Sequence, residues 1–186
     1  MKHSALYHLH RHMGAHFGNY AGWEVPEFFA APETEAGQVR SGAGLADLSF
    51  RSKYETDRQP ERNGWRLRDD RYLTLGDPPL AAPAGAIDVT SVYADLLLAG
   101  PRSRDVLGKL SSLNCSDERL PNRACAQANV AHIHTIVVRD DLGAIPGYHL
   151  LVTRDYAESL WEALAHAGHE FSLRPFGMKA LEGLRA

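Results

Sequence analysis

The sequence predicts an α+β fold, an antiparallel sheet covered by helices. Two observations carry this. From Asp88 onward, β-prone and amphipathic stretches follow each other as β–α–β–β–α–β, a split βαβ order. The two helical stretches of that unit each have one apolar face, which places both on one side of the sheet.

Taken in order, residues 4–16 read as a short helix with Leu6, Leu9 and Met13 on one stripe. His8, His12 and His16 fall at i, i+4 and i+8, the spacing of helical zinc ligands. No acidic residue or cysteine completes a set, so a solvated histidine face is expected and no metal. Residues 17–31 read as a loop, punctuated by Gly18, Gly22 and Pro26. Its aromatics Tyr20, Trp23, Phe28 and Phe29 either frame a flat ligand or pack on the core, and packing is the expectation. Pro32 opens a helix over Glu33–Ser41 that Gly42 and Gly44 end. Ser52–Asn63 is polar and reads as an exposed turn. Trp65–Leu75 alternates as one strand, and the proline-rich stretch 76–87 reads as a stiff linker between an N-terminal part, 1–75, and the remainder, 88–186.

The central unit is DVTSVYADLLLAGPRSRDVLGKLSSL. Val89–Ala99 is apolar and β-prone, Gly100 breaks the strand, and Pro101 suits a first helical turn. Val106, Leu107, Leu110 and Leu113 then share one helix face. Ala124–Val138 supplies one long strand or two, and DDLGAIPG a turn. Tyr148–Val152 is a short strand. Thr153 is placed to cap a helix near 154–167 with Tyr156, Leu160, Trp161 and Leu164 on one face. Glu170–Leu173 reads as a last strand, and Phe176–Arg185 begins another helix. His132 and His134 are placed on one side of their strand. They are acid–base groups or satisfied core or edge histidines, the latter being the expectation.

Composition removes several classes. The 186 residues suffice for one core; hydrophobic content is 44%, charged content 23% and net charge −3, which leaves no basic footprint for nucleic acid. No apolar run is long enough to span a bilayer, and MKHSALYHLHRHMGAH is too polar for a signal peptide. Cys115 and Cys125 fit no metal spacing; they read as reduced thiols of a cytoplasmic protein, a single disulfide between them being the alternative.

Two separated stretches carry a family resemblance. DVTSVYADLLLAGPRSRDVL resembles the D-V-S/T-x-x-Y-A…GP-x-A/S-R-x-L segment of the glycine-cleavage T-protein family. Upstream, Tyr20, Ala21, Gly22, Trp23, Glu24 and Pro26, then Arg40, Gly44, Leu45, Asp47 and Ser49, resemble that family's F-A-G-W-E-x-P, helix-ending arginine and G-L-x-D-x-S. The resemblance implies a T-protein-like folate-binding domain, tetrahydrofolate as cofactor, and transfer of an aminomethyl or methyl one-carbon unit. It also implies that Trp23, Tyr93 and Tyr148 lie nearest the pterin. A barrel domain that follows "LR-x-E" in the family has no counterpart before Ala186, so the chain reads as a single truncated domain.

The family's catalytic residues are degenerate here. Asp57 and Glu61 are the only carboxylates near the first acidic position. In LGAIPGYH, Ile145 takes the second acidic position and His149 the last of the Y-T-G-E-x-G-Y-E motif, and Leu181 takes that of an arginine. Isoleucine cannot hydrogen-bond a pterin or move a proton. Glu24 and Asp95, carboxylates in apolar stretches, are the candidate replacements, so the catalytic set is undetermined. The half from Cys125 onward is also similar to the gamma subunit of heterotetrameric sarcosine oxidase. Two functions follow: a folate-dependent one-carbon transfer component working with a partner, or a non-catalytic structural subunit of a sarcosine-oxidase-like complex. Either implies a homodimer or an oxidoreductase or transferase subunit as partner, docked through 174–186 by Phe176, Met178 and Leu181 and through the AGWEVP side.

Overall fold

The structure, a computed structural model, describes residues 1–60 and 64–185. The chain runs β1 (Lys2–His3), α1 (Tyr7–His12), β2 (His16–Tyr20), β3 (Trp23–Phe28), α2 (Pro32–Ser41), β4 (Gly44–Asp47), β5 (Ser52–Thr56), β6 (Gly64–Arg68), β7 (Arg71–Gly76) and β8 (Ile87–Asp88). It continues with β9 (Tyr93–Ala99), α3 (Ser103–Leu110), β10 (Cys125–Val130), β11 (Ile133–Arg139), β12 (Gly147–Thr153), α4 (Ala157–Gly168), β13 (Arg174–Pro175) and α5 (Met178–Arg185).

The core is a six-stranded sheet ordered β10-β11-β12-β9-β4-β13, antiparallel except for the β4–β13 pair. Strand alternation sorts its residues onto two faces. Leu96 and Leu98 of β9, with Leu150 and Val152 of β12, join Val106 and Leu107 of α3 and Leu160, Trp161 and Leu164 of α4. On the opposite face, Leu97 and Ala99 meet Val39 of α2 and Leu181 of α5, while Ile136, Val138 and Leu151 meet Trp65, Leu73 and Leu75. Those last three belong to a four-stranded sheet ordered β6-β7-β5-β8. The expected helices of the central unit therefore share one face of an antiparallel sheet, with a second layer behind it. Residues 77–86 connect β7 to β8, and both of those strands pair with β5.

Several elements differ from the sequence reading. The 17–31 region is a hairpin of β2 and β3, not a loop. Ala21 (φ 51°) and Gly22 (φ 83°) make its two-residue turn, and Pro26 is accommodated beside a register shift at His16/Phe17. Trp65–Leu75 is two strands, because Asp69 and Asp70 turn the chain between them. Part of the supposed exposed turn, Ser52–Thr56, is strand β5. Helix α1 stops at His12 before Gly14 (φ 80°), so His16 lies on β2 and the three histidines share no helix face. His132 stands in the turn before β11 at φ 64° and only His134 is in the strand. A single 3-10 turn, Arg154–Tyr156, precedes α4, and the Thr153 side chain caps nothing. Glu170–Leu173 is no strand: a 3-10 turn over His169–Phe171 is followed by Ser172 at φ 56°, and pairing begins only at Arg174.

The proposed apolar docking face is also corrected. Phe176, Met178, Leu181 and Leu184 are buried against α2 and the sheet; the exposed residues of 174–185 include Arg174, Lys179, Glu182 and Arg185. The last helix turns its apolar stripe inward, where the chain's own core covers it.

Candidate functional site

Asp95 and His149 sit on neighbouring strands with side chains on the same sheet face, toward the four-stranded sheet. His149 pairs in register with Leu97, two residues from Asp95. Both are essentially sealed, 0% and 1% exposed. The His149 Nδ1 is 2.8 Å from Asp95 Oδ1, and its Nε2 is 3.3 Å from Arg51 Nη1. A guanidinium only donates, so in this arrangement Nε2 accepts from Arg51 and the Nδ1–H donates to the Asp95 carboxylate. Arg51 Nε lies 2.8 Å from Asp77, and Asp77 also binds Arg185 of α5 at 2.9 Å. Lys53, fully buried, donates to the carbonyls of Ser49 and Arg51, each at 2.9 Å.

A second aspartate–histidine pair occupies the other face. Asp47 Oδ2 is 3.3 Å from His10 Nε2 and accepts from Ser4 Oγ at 2.5 Å. Ser49 joins the two pairs: its hydroxyl donates to Asp47 Oδ1 at 2.5 Å and accepts from the Asp95 N–H at 3.2 Å.

Charge balance follows from these contacts. Burial alone pushes the Asp95 carboxyl up, but His149, Arg51 and Lys53 outweigh it and hold it below the ordinary range. Asp47 follows the same pattern through His10, Ser4 and Ser49. Burial pushes the Lys53 ammonium down to about 8, partly offset by Asp95 and Asp47.

What this arrangement does chemically is limited by access. A base sealed at 1% exposure does not reach a substrate proton, so the network acts as a clamp joining the two sheets and α5. Its key members, Arg51, Lys53 and His10, escape sequence reasoning, because a polar residue looks exposed until its distant partners are known. For Arg51 and Lys53 the one sequence signal is alternation within Arg51–Glu55; His10 carries none.

The residues singled out from sequence do not converge. Trp23 joins the cluster containing Phe50 and Phe176. Tyr93 packs toward Trp65 and Leu73, its hydroxyl 3.4 Å from Glu55. Tyr148 faces α3 and α4, where its hydroxyl accepts from Arg104 Nε at 2.9 Å and lies 3.4 Å from the Cys115 carbonyl. Glu24 pairs with His3 at 2.7 Å, and Asp95 is in the clamp. Asp57 is exposed, and Glu61 lies outside the described residues. No group of three or more metal-ligating side chains forms among the described residues.

The profile of the GCVT N-terminal domain family matches residues 71–186. The chain belongs to that family. An aminomethyltransferase of Saccharopolyspora erythraea is 25% identical over 228 residues, covering 97% of this chain and 62% of the relative. One of Streptomyces avermitilis is 26% identical over 232 residues, covering 99% and 62%. This GCVT-family chain thus spans about 62% of those relatives' length. The aligned stretches also exceed its own 186 residues, so the relatives carry insertions against it. Among solved structures, the glycine cleavage system aminomethyltransferase T from Bartonella henselae superposes with TM-score 0.80 at 20% identity, covering 99% of this chain and 62% of that one. A chain of the heterotetrameric sarcosine oxidase from Corynebacterium sp. U-96 gives TM-score 0.64 at 15% identity, covering 92% and 96%. Both show the fold.

The cofactor implied by the T-protein resemblance can be tested against the residues present. The cleft between Trp23 and Tyr93 measures about 10 Å³, and that between Trp23, Glu24 and Phe50 has no free volume. A single water needs about 10–15 Å³. Ile145 and Leu181, at positions charged in the resemblance, lie together in the apolar cluster around Trp23 and Leu97. The clefts around Trp23 do not fit a pterin; Tyr93 also lines an apolar cavity of about 290 Å³ with Ile133, Ile136 and Leu151, which neither Trp23 nor Tyr148 lines.

Proposed function

We propose that this chain is a T-protein-like component of aminomethyl or methyl one-carbon transfer that works inside a larger assembly and does not hold tetrahydrofolate alone. The observation that carries the reading is the filled cleft between Trp23 and Tyr93, with Ile145 and Leu181 in the apolar cluster beside it. A partner, whether an oxidoreductase or transferase subunit or a second copy, then completes the reactive surface. The fit to a chain of a heterotetrameric enzyme supports assembly. Free thiols at Cys115 and Cys125 support a reducing, cytoplasmic setting. No helix of the described residues is long and apolar enough to cross a membrane.

Titration calorimetry of tetrahydrofolate into the purified chain should give no saturable heat. Tight one-to-one binding, or one-carbon transfer by the chain alone, would end this reading. A second reading is a non-catalytic subunit of a sarcosine-oxidase-like complex. It is favoured by the extent of the match, which covers 92% of this chain and 96% of the sarcosine oxidase chain. Light scattering and co-purification from the native host separate a self-associating chain from one held by an amine-oxidising partner.

A further inference from the structure

A cleft of about 470 Å³ opens where β13, the end of the six-stranded sheet, meets the C-terminal end of α2 and the start of α3. It is apart from the clamp and from the clefts around Trp23. Two guanidiniums line it. Arg102 is positioned by three contacts: its backbone N–H donates to the Gly42 carbonyl at 3.0 Å, its guanidinium lies 4.8 Å from the Phe171 ring centre, and its Nε is 3.0 Å from Asp105. The pair with Asp105 is made at Nε, and both side chains are about half exposed, 50% and 46%. Arg174 of β13 has no carboxylate partner among the described residues; its nearest acceptor is the Leu173 carbonyl at 3.4 Å.

The remaining lining strengthens the donor surplus. Glu170, the cleft's one carboxylate, is neutralised by an ion pair with Lys109. Ser172 holds φ 56°, a conformation few non-glycine residues adopt, and its hydroxyl has no partner among the described residues. The Gln38 amide is likewise unpaired there. The cleft thus gathers two guanidinium forks, a hydroxyl and an amide around open volume, with no free carboxylate. Planar guanidinium forks match an oxyanion two N–H groups at a time, and a concave wall concentrates their field.

We propose that this cleft binds the oxyanion group, phosphate or carboxylate, of a small anionic molecule, gripped between Arg102 and Arg174. The proposal is independent of the function argued above. The test is calorimetry on the whole chain with inorganic phosphate and, separately, succinate, at an ionic strength held constant with chloride. One or both probes should bind saturably, and the one that binds names the source of the anion. Arg174→Gln and Arg102→Gln should each weaken binding by about tenfold or more, the loss expected of a charge-assisted hydrogen bond. Arg68→Gln, on the distant strand β6, should not. Arg102 also packs on Phe171, so if Arg102→Gln unfolds, the exposed Arg174→Gln decides alone. No saturable signal from either probe, or binding unchanged in Arg174→Gln, overturns the proposal.

Discussion

Raising the pH from 8 toward 10 is expected to stabilise this fold through Lys53. Its ammonium is fully buried, and burial pushes its pKa down from 10.5 to about 8. In the unfolded chain the group keeps its ordinary value. Between those two values the unfolded chain holds a proton that the folded chain has released, so stability rises with pH across the window. Below pH 8 both states are charged, and the folded state bears the whole cost. The gap of 10.5 against 8 corresponds to about 3 kcal/mol, at about 1.4 kcal/mol per pH unit. Urea unfolding followed by fluorescence suits the measurement, since Trp23, Trp65 and Trp161 are all buried. The wild type and Lys53→Met should be compared at pH 7, 8, 9 and 10. Tyr20, Tyr93 and Tyr148, pushed up mainly by burial, oppose the trend from about pH 10, and their effect cancels in the difference between the two proteins. The wild type should gain on the variant only above pH 8. A difference that stays flat to pH 10 would show Lys53 charged throughout, fully compensated by Asp95, Asp47 and its two carbonyls, and would refute the reasoning.

Two further outcomes follow from the same contacts. Asp95→Ala leaves the His149 N–H without its carboxylate and removes a buried negative charge from beside Arg51 and Lys53, and should lower urea stability by about 3–5 kcal/mol. Because the folded Asp95 carboxyl is held low, its contribution is complete above about pH 4 and lost as pH falls further, so the variant should show a shallower acid transition. Leu181→Arg puts a charge into a fully buried apolar site, and thermal unfolding should register a loss of at least about 3 kcal/mol; an unchanged midpoint would mean the cluster has room for charge and would reopen the question of a pterin there.

The sequence by itself determined the elements whose signal is local. Periodicity placed α3 and α4 on one face of β9, β11 and β12, because 3.6- and 2-residue repeats follow from backbone geometry alone. The wording of residues 88–107 and 20–49 led to the family that the profile match shows. The hairpin turns at Ala21–Gly22 and Asp69–Asp70 are hidden because their turn-favouring residues sit inside stretches that read as one loop or one continuous strand. Only the tertiary structure decided which polar groups are interior. Arg51 meets His149 across 98 positions and His149 meets Asp95 across 54, so nothing near Arg51 or Lys53 in the chain announces their burial. It likewise sent Trp23, Tyr93 and Tyr148 into three separate apolar clusters, and turned Leu181 and Leu184 inward. A side chain's face is set by its neighbours in sequence, but what covers that face is set by strand order, and strand order joins residues far apart in the chain.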